Sequence, residues 1–176
     1  GFGVLNYMSS HDDGQPFDKE REIPYKSATM LLLTPGTSQV YYGDESARDL
    51  TIEGTVGDAT LRSFMNWDEI QNSDDTKKIL RHWQKLGQFR ANHMAIGAGK
   101  HQLISDENGL IFSRVRNDDK VVVGMNLYDE NISIDVSSIF KNGDKLRDFY
   151  SDVELEVKDG KVDFSSIYSL VLLEKI

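Results

Sequence analysis

Cysteine is absent from the 176-residue chain, which excludes disulfides, thiol nucleophiles and Cys-ligated zinc. That absence fixes no compartment, because many secreted proteins also lack cysteine, and localisation stays open. Long apolar runs are missing too. The longest, Ala28 to Leu33 with Thr29 inside it, falls far short of the roughly 20 residues that span a bilayer, so no membrane partner is expected. Positive charge is scarce: 20 Lys and Arg face 29 Asp and Glu, a net charge of -9, with no basic cluster or Arg-rich helix. An acidic surface repels phosphate backbones, which argues against a nucleic-acid partner and for a neutral or small substrate. There is no Gly-rich phosphate loop and no Gly-x-Ser-x-Gly elbow, so nucleotide binding and serine hydrolysis lack support. His82, His93 and His101 form no close pair of the kind a metal site uses; no transition metal and no cofactor are expected. The chain opens Gly1-Phe2-Gly3-Val4, with neither an initiator Met nor a charged-then-apolar leader, and is therefore expected to be a piece of something longer.

What is present is an ordinary globular composition, 39% hydrophobic with 14 Gly. The length suits one medium domain or two small ones, and is too short for a closed eight-fold barrel, which needs about 250 residues. Val4 to Met8 reads as a short buried strand that ends in the polar cluster Ser9-Ser10-His11-Asp12-Asp13-Gly14. A helix follows: Pro24 suits its first turn, Ala28, Leu31 and Leu32 give it an apolar face, and Pro35-Gly36 stops it. Ser38 to Tyr42 supplies a second strand, again followed by polar residues, Gly43-Asp44-Glu45.

From Leu50 to Asn72 the pattern is irregular, as in a functional loop or lid. Ser73, Asp74 and Asp75 then offer N-caps to a helix striped by Ile79, Leu80, Trp83, Leu86 and Phe89. After about Met94 the period becomes two. Ile132, Ile134 and Val136 alternate with Ser133 and Asp135, and Val153, Leu155 and Val157 alternate with glutamates, as in strands with one wet face. Turn signals fall at Asn108-Gly109, Asn117-Asp118-Asp119, Asn142-Gly143 and Asp159-Gly160, the last placed as a tight hairpin would place it. Short strands at this spacing describe a β-sandwich.

Chemistry is concentrated at Ser9 to Asp13. A carboxylate beside an imidazole at the C-terminal tip of a parallel strand can position sugar hydroxyls or stabilise a developing positive charge. The same residue types are plain turn formers, so a solvated turn is the competing reading. Asp44 and Glu45 are either a second functional pair or a loop start with capping duty. Phe64 and Trp67, apolar residues in a loop, either stack on a ligand or plug the gap between loop and core; plugging is the expectation.

Leu5-Asn6-Tyr7-Met8-Ser9-Ser10-His11-Asp12 resembles the seventh-strand motif of the alpha-amylase superfamily, glycoside hydrolase family 13, whose signature closes on His-Asp. Thr34-Pro35-Gly36 followed by Val40-Tyr41-Tyr42-Gly43-Asp44-Glu45 resembles the eighth-strand region. Arg62, Met65, Asn66 and Trp67 resemble the Arg-x-x-Met-x-Trp loop after it. The helix ending Phe89-Arg90 resembles the last barrel helix, and the period-two half the family's C-terminal sandwich. Four motifs in order are far more specific than the His-Asp pair alone.

The resemblance implies an α/β plus all-β chain: residues 1–94 as the last two strands of a (β/α)8 barrel with their helices, residues 95–176 as an antiparallel β-sandwich. It implies a parent that cleaves or transfers alpha-glucosidic bonds of starch-like glucans with retention, through two carboxyl groups about 5 to 5.5 Å apart. Neither that nucleophile nor the acid has a matching segment here, so the chain alone is expected to be inactive. By the same resemblance His11 contacts hydroxyls of the sugar being cleaved. Asp12 is the third carboxylate, holding the 2- and 3-hydroxyls and favouring the oxocarbenium-like state. From their position alone, Asp13 and Gln15 lie in the adjoining loop and are expected to help shape a neighbouring subsite. The family's calcium site lies mostly in an inserted domain with no counterpart here, so no metal is expected. Two barrel strands alone leave a sheet edge unpaired, which implies that the remnant leans on the sandwich or on a second copy. Two other readings compete: a superfamily relative that has lost catalysis, and a carbohydrate-binding sandwich displaying aromatics drawn from Phe112, Tyr128, Phe140, Phe149, Tyr150, Phe164 and Tyr168.

Overall fold

The computed structural model describes residues 3–165 and 168–176, and the Gly1-Phe2 start of the chain lies outside them. The chain divides into two compact units, Gly1–Gln88 and Phe89–Ile176.

In the first unit, strand β1 (Leu5–Asn6) pairs in parallel with β2 (Thr37–Ser38), Leu5 opposite Thr37 and Asn6 opposite Ser38. Parallel neighbours need a crossover, and here it is helix α1 (Pro24–Leu33). Pro24 stands in the first turn, where its missing N–H costs nothing, and Ala28, Leu31, Leu32 and Leu33 are buried. Thr34 ends the helix in an extended conformation, as the ring of Pro35 requires of its predecessor. Gly36 follows at φ +95°, and a Cβ there would stand 2.6 Å from the Val4 carbonyl. A glycine is therefore needed to bring β2 alongside β1. The Asn6 amide donates to the Pro35 carbonyl at 2.8 Å and locks the crossover shut.

Both strands are shorter than the apolar runs suggest. The run Val4 to Met8 pairs only at Leu5 and Asn6, and Ser38 to Tyr42 only at its first residue, each strand having a single partner among the described residues. Beyond β2 the chain passes through 3-10 turns at Asp44–Ser46 and Gly57–Leu61 and a short helix, α2 (Trp67–Asn72), within the stretch expected to be irregular. Helix α3 (Asp74–Asn92) begins where the Ser-Asp-Asp caps predict, and the Ser73 hydroxyl accepts from the Thr76 amide at 3.2 Å. Trp83, Leu86 and Phe89 of its stripe are buried, whereas Ile79 and Leu80 are only partly so. His82, on the same helix, lies against α1, with its Nε2 3.0 Å from the Tyr25 carbonyl and 3.2 Å from the Thr29 hydroxyl.

The second unit takes in the end of α3, then helix α4 (Met94–Ala98) and, among the described residues, eight antiparallel strands: β3 (Lys100–Ser105), β4 (Leu110–Arg116), β5 (Asp119–Met125), β6 (Asn131–Asp135), β7 (Lys145–Asp148), β8 (Val153–Glu156), β9 (Lys161–Ser165) and β10 (Leu170–Lys175). Six form a sheet in the order β3-β4-β5-β10-β7-β8, and β6 pairs with β9. One buried cluster joins the two sheets: Ile132, Ile134, Val162 and Phe164 from the pair meet Ile111, Val122, Leu146, Val171 and Leu173 from the larger sheet. This is a β-sandwich, as the period-two pattern predicts.

β6 and β9 alternate buried and exposed residues without a break, whereas β4, β5 and β10 are buried on both faces along most of their length. The second face is covered by α4, which packs on β4 and β5 and contributes the buried Ala95 and Ile96. β8, at the sheet edge, leaves Val153 exposed. The hairpin turn at Asp159-Gly160 forms as expected: both residues have positive φ, and Lys158 and Lys161 exchange two backbone hydrogen bonds of 2.9 Å.

Candidate functional site

After β1 the chain runs three residues further before it turns. Ser9 is buried, and the backbone then swings outward and closes on itself where the Phe17 amide donates to the Met8 carbonyl at 2.8 Å. His11 and Asp12 lie on the resulting loop with side chains 66% and 62% exposed and their polar atoms 3.8 Å apart. The Ser10 hydroxyl donates to Asp12 at 2.8 Å, and the Asp12 amide returns a bond of 3.4 Å to the same hydroxyl.

These contacts hold the Asp12 carboxyl below its usual range. The Ser10 hydrogen bond contributes most, the neighbouring imidazole next, and Arg62 least. The site thus presents a carboxylate that is ionised at neutral pH and open to solvent, next to an imidazole. It can accept hydrogen bonds from hydroxyls and attract a developing positive charge. Asp13 is half-buried, and its carboxylate accepts from the Gln15 amide at 3.0 Å, an Asx turn that shapes the loop.

The Asp44 and Glu45 pair divides by role. Asp44 is buried; one carboxylate oxygen accepts from Ser9 at 2.6 Å and from the Arg21 guanidinium at 2.7 Å, and the other faces the Tyr41 amide at 3.3 Å. It joins the loops that follow β1 and β2, so it is a structural tie and not half of a second functional pair. Glu45 accepts from the Gly43 amide at 3.0 Å.

Arg48 is a residue that the sequence reading passed over. It is almost wholly buried and donates to the Tyr42 carbonyl at 3.0 Å, to the Ser63 carbonyl at 3.1 Å, to the Ser63 hydroxyl and to the Leu61 carbonyl. Its guanidinium lies 3.9 Å from the centre of the Tyr42 ring. No local pattern marked it; the fit shows only in three dimensions, where Gly43 has φ +86° and a Cβ on it would fall 2.4 Å from Arg48 Nε.

The loop after Leu61 is tied to the same place, since Arg62 Nε donates to the His11 carbonyl at 3.2 Å. Phe64 and Trp67 do not plug the core. Phe64 is 98% exposed and Trp67, at the head of α2, is 63% exposed. On the inner side of the loop the buried Arg48 already binds the Ser63 and Leu61 carbonyls, and Leu61 itself is buried.

The remaining histidines are structural. Burial pushes the His82 imidazole below its ordinary value. His93 stands between Asp119 and Glu174, 2.7 Å from each. His101 accepts from Arg114 at 3.0 Å and is also held low, by burial first and by that guanidinium second. Among the described residues no three His, Asp or Glu side chains are grouped as a metal ion would need, and no helix is long and apolar enough to cross a membrane. In the sandwich, Phe112, Phe140 and Phe164 are buried and Phe149 and Tyr150 partly so, which leaves Tyr128 and Tyr168 as its exposed aromatics among the described residues.

No family model matches the chain. A curated relative does: the periplasmic alpha-amylase of Escherichia coli strain K12 is 46% identical over 123 residues, 70% of this chain. The chain belongs to the alpha-amylase superfamily. It spans 17% of that relative's length. The Anoxybacillus alpha-amylase structure superposes with a TM-score of 0.72 at 21% identity, covering 97% of this chain and 38% of the other. The alpha-amylase of Geobacillus thermoleovorans, solved with acarbose, gives 0.71 at 19% identity, covering 98% and 39%. The fold is therefore shared with these structures over nearly the whole chain.

Proposed function

We propose that this chain carries the C-terminal part of a retaining alpha-glucan hydrolase or transglycosidase, with residues 1–94 as barrel and residues 95–176 as sandwich. One observation carries the reading: an exposed, ionised carboxylate, Asp12, stands beside His11 beyond the C-terminal end of a parallel strand, in a chain 46% identical to an alpha-amylase over most of its length. Such barrels place their chemistry at that end. The substrate is an alpha-linked gluco-oligosaccharide or polysaccharide, and it is neutral, in keeping with the acidic surface.

In this mechanism His11 binds hydroxyls of the sugar at the point of cleavage. Asp12 accepts from the 2- and 3-hydroxyls, and those bonds tighten as the ring gains positive charge, which lowers the barrier by several kcal/mol in glycosidases. The role needs an anion, and the Ser10 hydroxyl and the His11 ring maintain one. Asp13 shapes the adjoining subsite through its turn. The nucleophile and the proton donor belong to other barrel strands, so the 176 residues by themselves bind and do not cleave.

Incubation with maltoheptaose or starch tests this directly: no reducing sugar is released above buffer, and turnover by the purified chain would overturn the assignment of the two reacting carboxyl groups to residues outside it. In the longer enzyme, Asp12→Asn lowers kcat by roughly 100-fold or more, as expected for loss of a charge-assisted transition-state contact of about 3 kcal/mol.

A further inference from the structure

We propose that Phe64 is a stacking platform for a glucosyl ring beside the His11 and Asp12 loop. The proposal rests on the sugar-binding reading of that loop and names what holds the apolar face of the same ligand. A single exposed apolar side chain is unremarkable on most loops. This one differs because the backbone around it is fixed while its ring is left free. On its N-terminal side, Arg62 donates to the His11 carbonyl at 3.2 Å, and the Ser63 carbonyl accepts from the Tyr42 hydroxyl at 2.8 Å and from Arg48 at 3.1 Å. The Ser63 hydroxyl donates to the Asp49 carbonyl at 2.5 Å. On its C-terminal side, Asn66 donates to the Ser46 carbonyl at 3.1 Å and accepts from the Ser46 hydroxyl at 2.7 Å. Between these anchors the Phe64 ring is 98% exposed.

An aromatic group presented this way needs no ordering when a ligand arrives, so its contact area converts efficiently into affinity. A pyranose ring has an apolar C–H face and a rim of hydroxyls. The Arg62 to His11 bond keeps the two loops in register, so that the hydroxyls meet His11 and Asp12 while the C–H face meets Phe64. Trp67, three residues further on, is also exposed.

The test is a titration of the isotope-labelled 176-residue chain with maltoheptaose, followed by backbone amide resonances. Saturable shifts are expected at 10–13 and 62–67 together. Phe64→Ala should weaken the affinity roughly fivefold to tenfold, the scale of one aromatic stacking contact, while Phe64→Tyr retains it. The side chain is exposed, so neither variant should perturb the fold, and an unchanged spectrum elsewhere verifies this. Phe64→Ala binding as tightly as the wild type, or shifts confined to 10–13, overturns the platform and leaves the His11 and Asp12 reading standing. Shifts confined to 62–67 place the sugar away from His11 and Asp12 and overturn both that reading and the shared platform. No shift in either segment overturns both.

Discussion

The Ser9 hydroxyl lies 2.6 Å from a carboxylate oxygen of Asp44, both groups buried, so the loops after the two parallel strands are joined by a bond that water does not reach. The same carboxylate pairs with Arg21, whose side chain is itself nearly buried. The candidate sugar-binding loop therefore hangs from an ion pair beneath the surface. Removing the anion would leave a guanidinium and a hydroxyl without their acceptor. Asp44→Ala is expected to destabilise the first unit by about 3 to 5 kcal/mol. Ser9→Ala, which deletes one hydrogen bond to a charged group, should cost about 1.5 to 3 kcal/mol. Urea denaturation of both variants and of the double mutant measures the coupling, and additive losses would show that Ser9 and Asp44 act independently.

Asp12 is expected to titrate below an ordinary aspartate, and Ser10→Ala should move it upward, since the Ser10 hydroxyl is the largest cause of the depression. The sign for stability follows from the depressed folded value. The contribution is present above the unfolded-state value and disappears as pH falls through the folded one, so it is felt only in acid. Carbon-detected titration of the Asp12 carboxyl in the two proteins checks the direction; an unchanged midpoint in Ser10→Ala would assign the shift to His11.

Asp148 behaves in the opposite sense. It is buried in the sandwich, and desolvation raises its carboxyl above the usual range despite hydrogen bonds from the Ser151 hydroxyl and from the Leu172, Ser151 and Tyr150 amides. A raised carboxylate binds its proton more tightly when folded, so stability declines as pH rises from the unfolded-state value through the folded one. Asp148→Ala strips the Leu172 amide of its acceptor and is expected to cost about 2 to 3 kcal/mol at neutral pH. Chemical denaturation of wild type and variant from mildly acidic to neutral pH should show the decline in the wild type alone.

The parallel pair β1 and β2 has no further strand beside it among the described residues, and Val4, Leu5, Tyr7 and Val40 around it are exposed. An open edge flanked by apolar side chains invites pairing with another chain. Light scattering of the purified protein is expected to give a mass above that of one 20.0 kDa chain, rising with concentration. A monomer mass with the first unit resistant to protease would show that the edge needs no partner.

Much of this architecture is legible in local chemistry. Pro24 and Pro35 bracket α1, the Ser-Asp-Asp run opens α3, and Asp159-Gly160 turns a hairpin, because each feature depends on residues a few positions apart. The short length of β1 and β2 was not legible. The apolar runs around them continue past the two paired positions, and where the two chains part company is set by tertiary packing and not by local pattern. The positions of Phe64 and Trp67 were not legible either: an apolar residue in a loop looks like a plug until the buried Arg48 is seen to hold the inner side of that loop through Ser63 and Leu61.

By itself the sequence determined the two periodicities, the turns and the His11-Asp12 motif, since these are set by side-chain spacing and backbone preference along a continuous segment. Tertiary structure alone decided that Asp44 is a buried tie and that Arg48 anchors the loop bearing Phe64. Those roles arise from groups 15 to 35 residues apart, as Arg48 is from Ser63 and Ser9 from Asp44, and burial strengthens such bonds only once the chain has brought the partners together and excluded water.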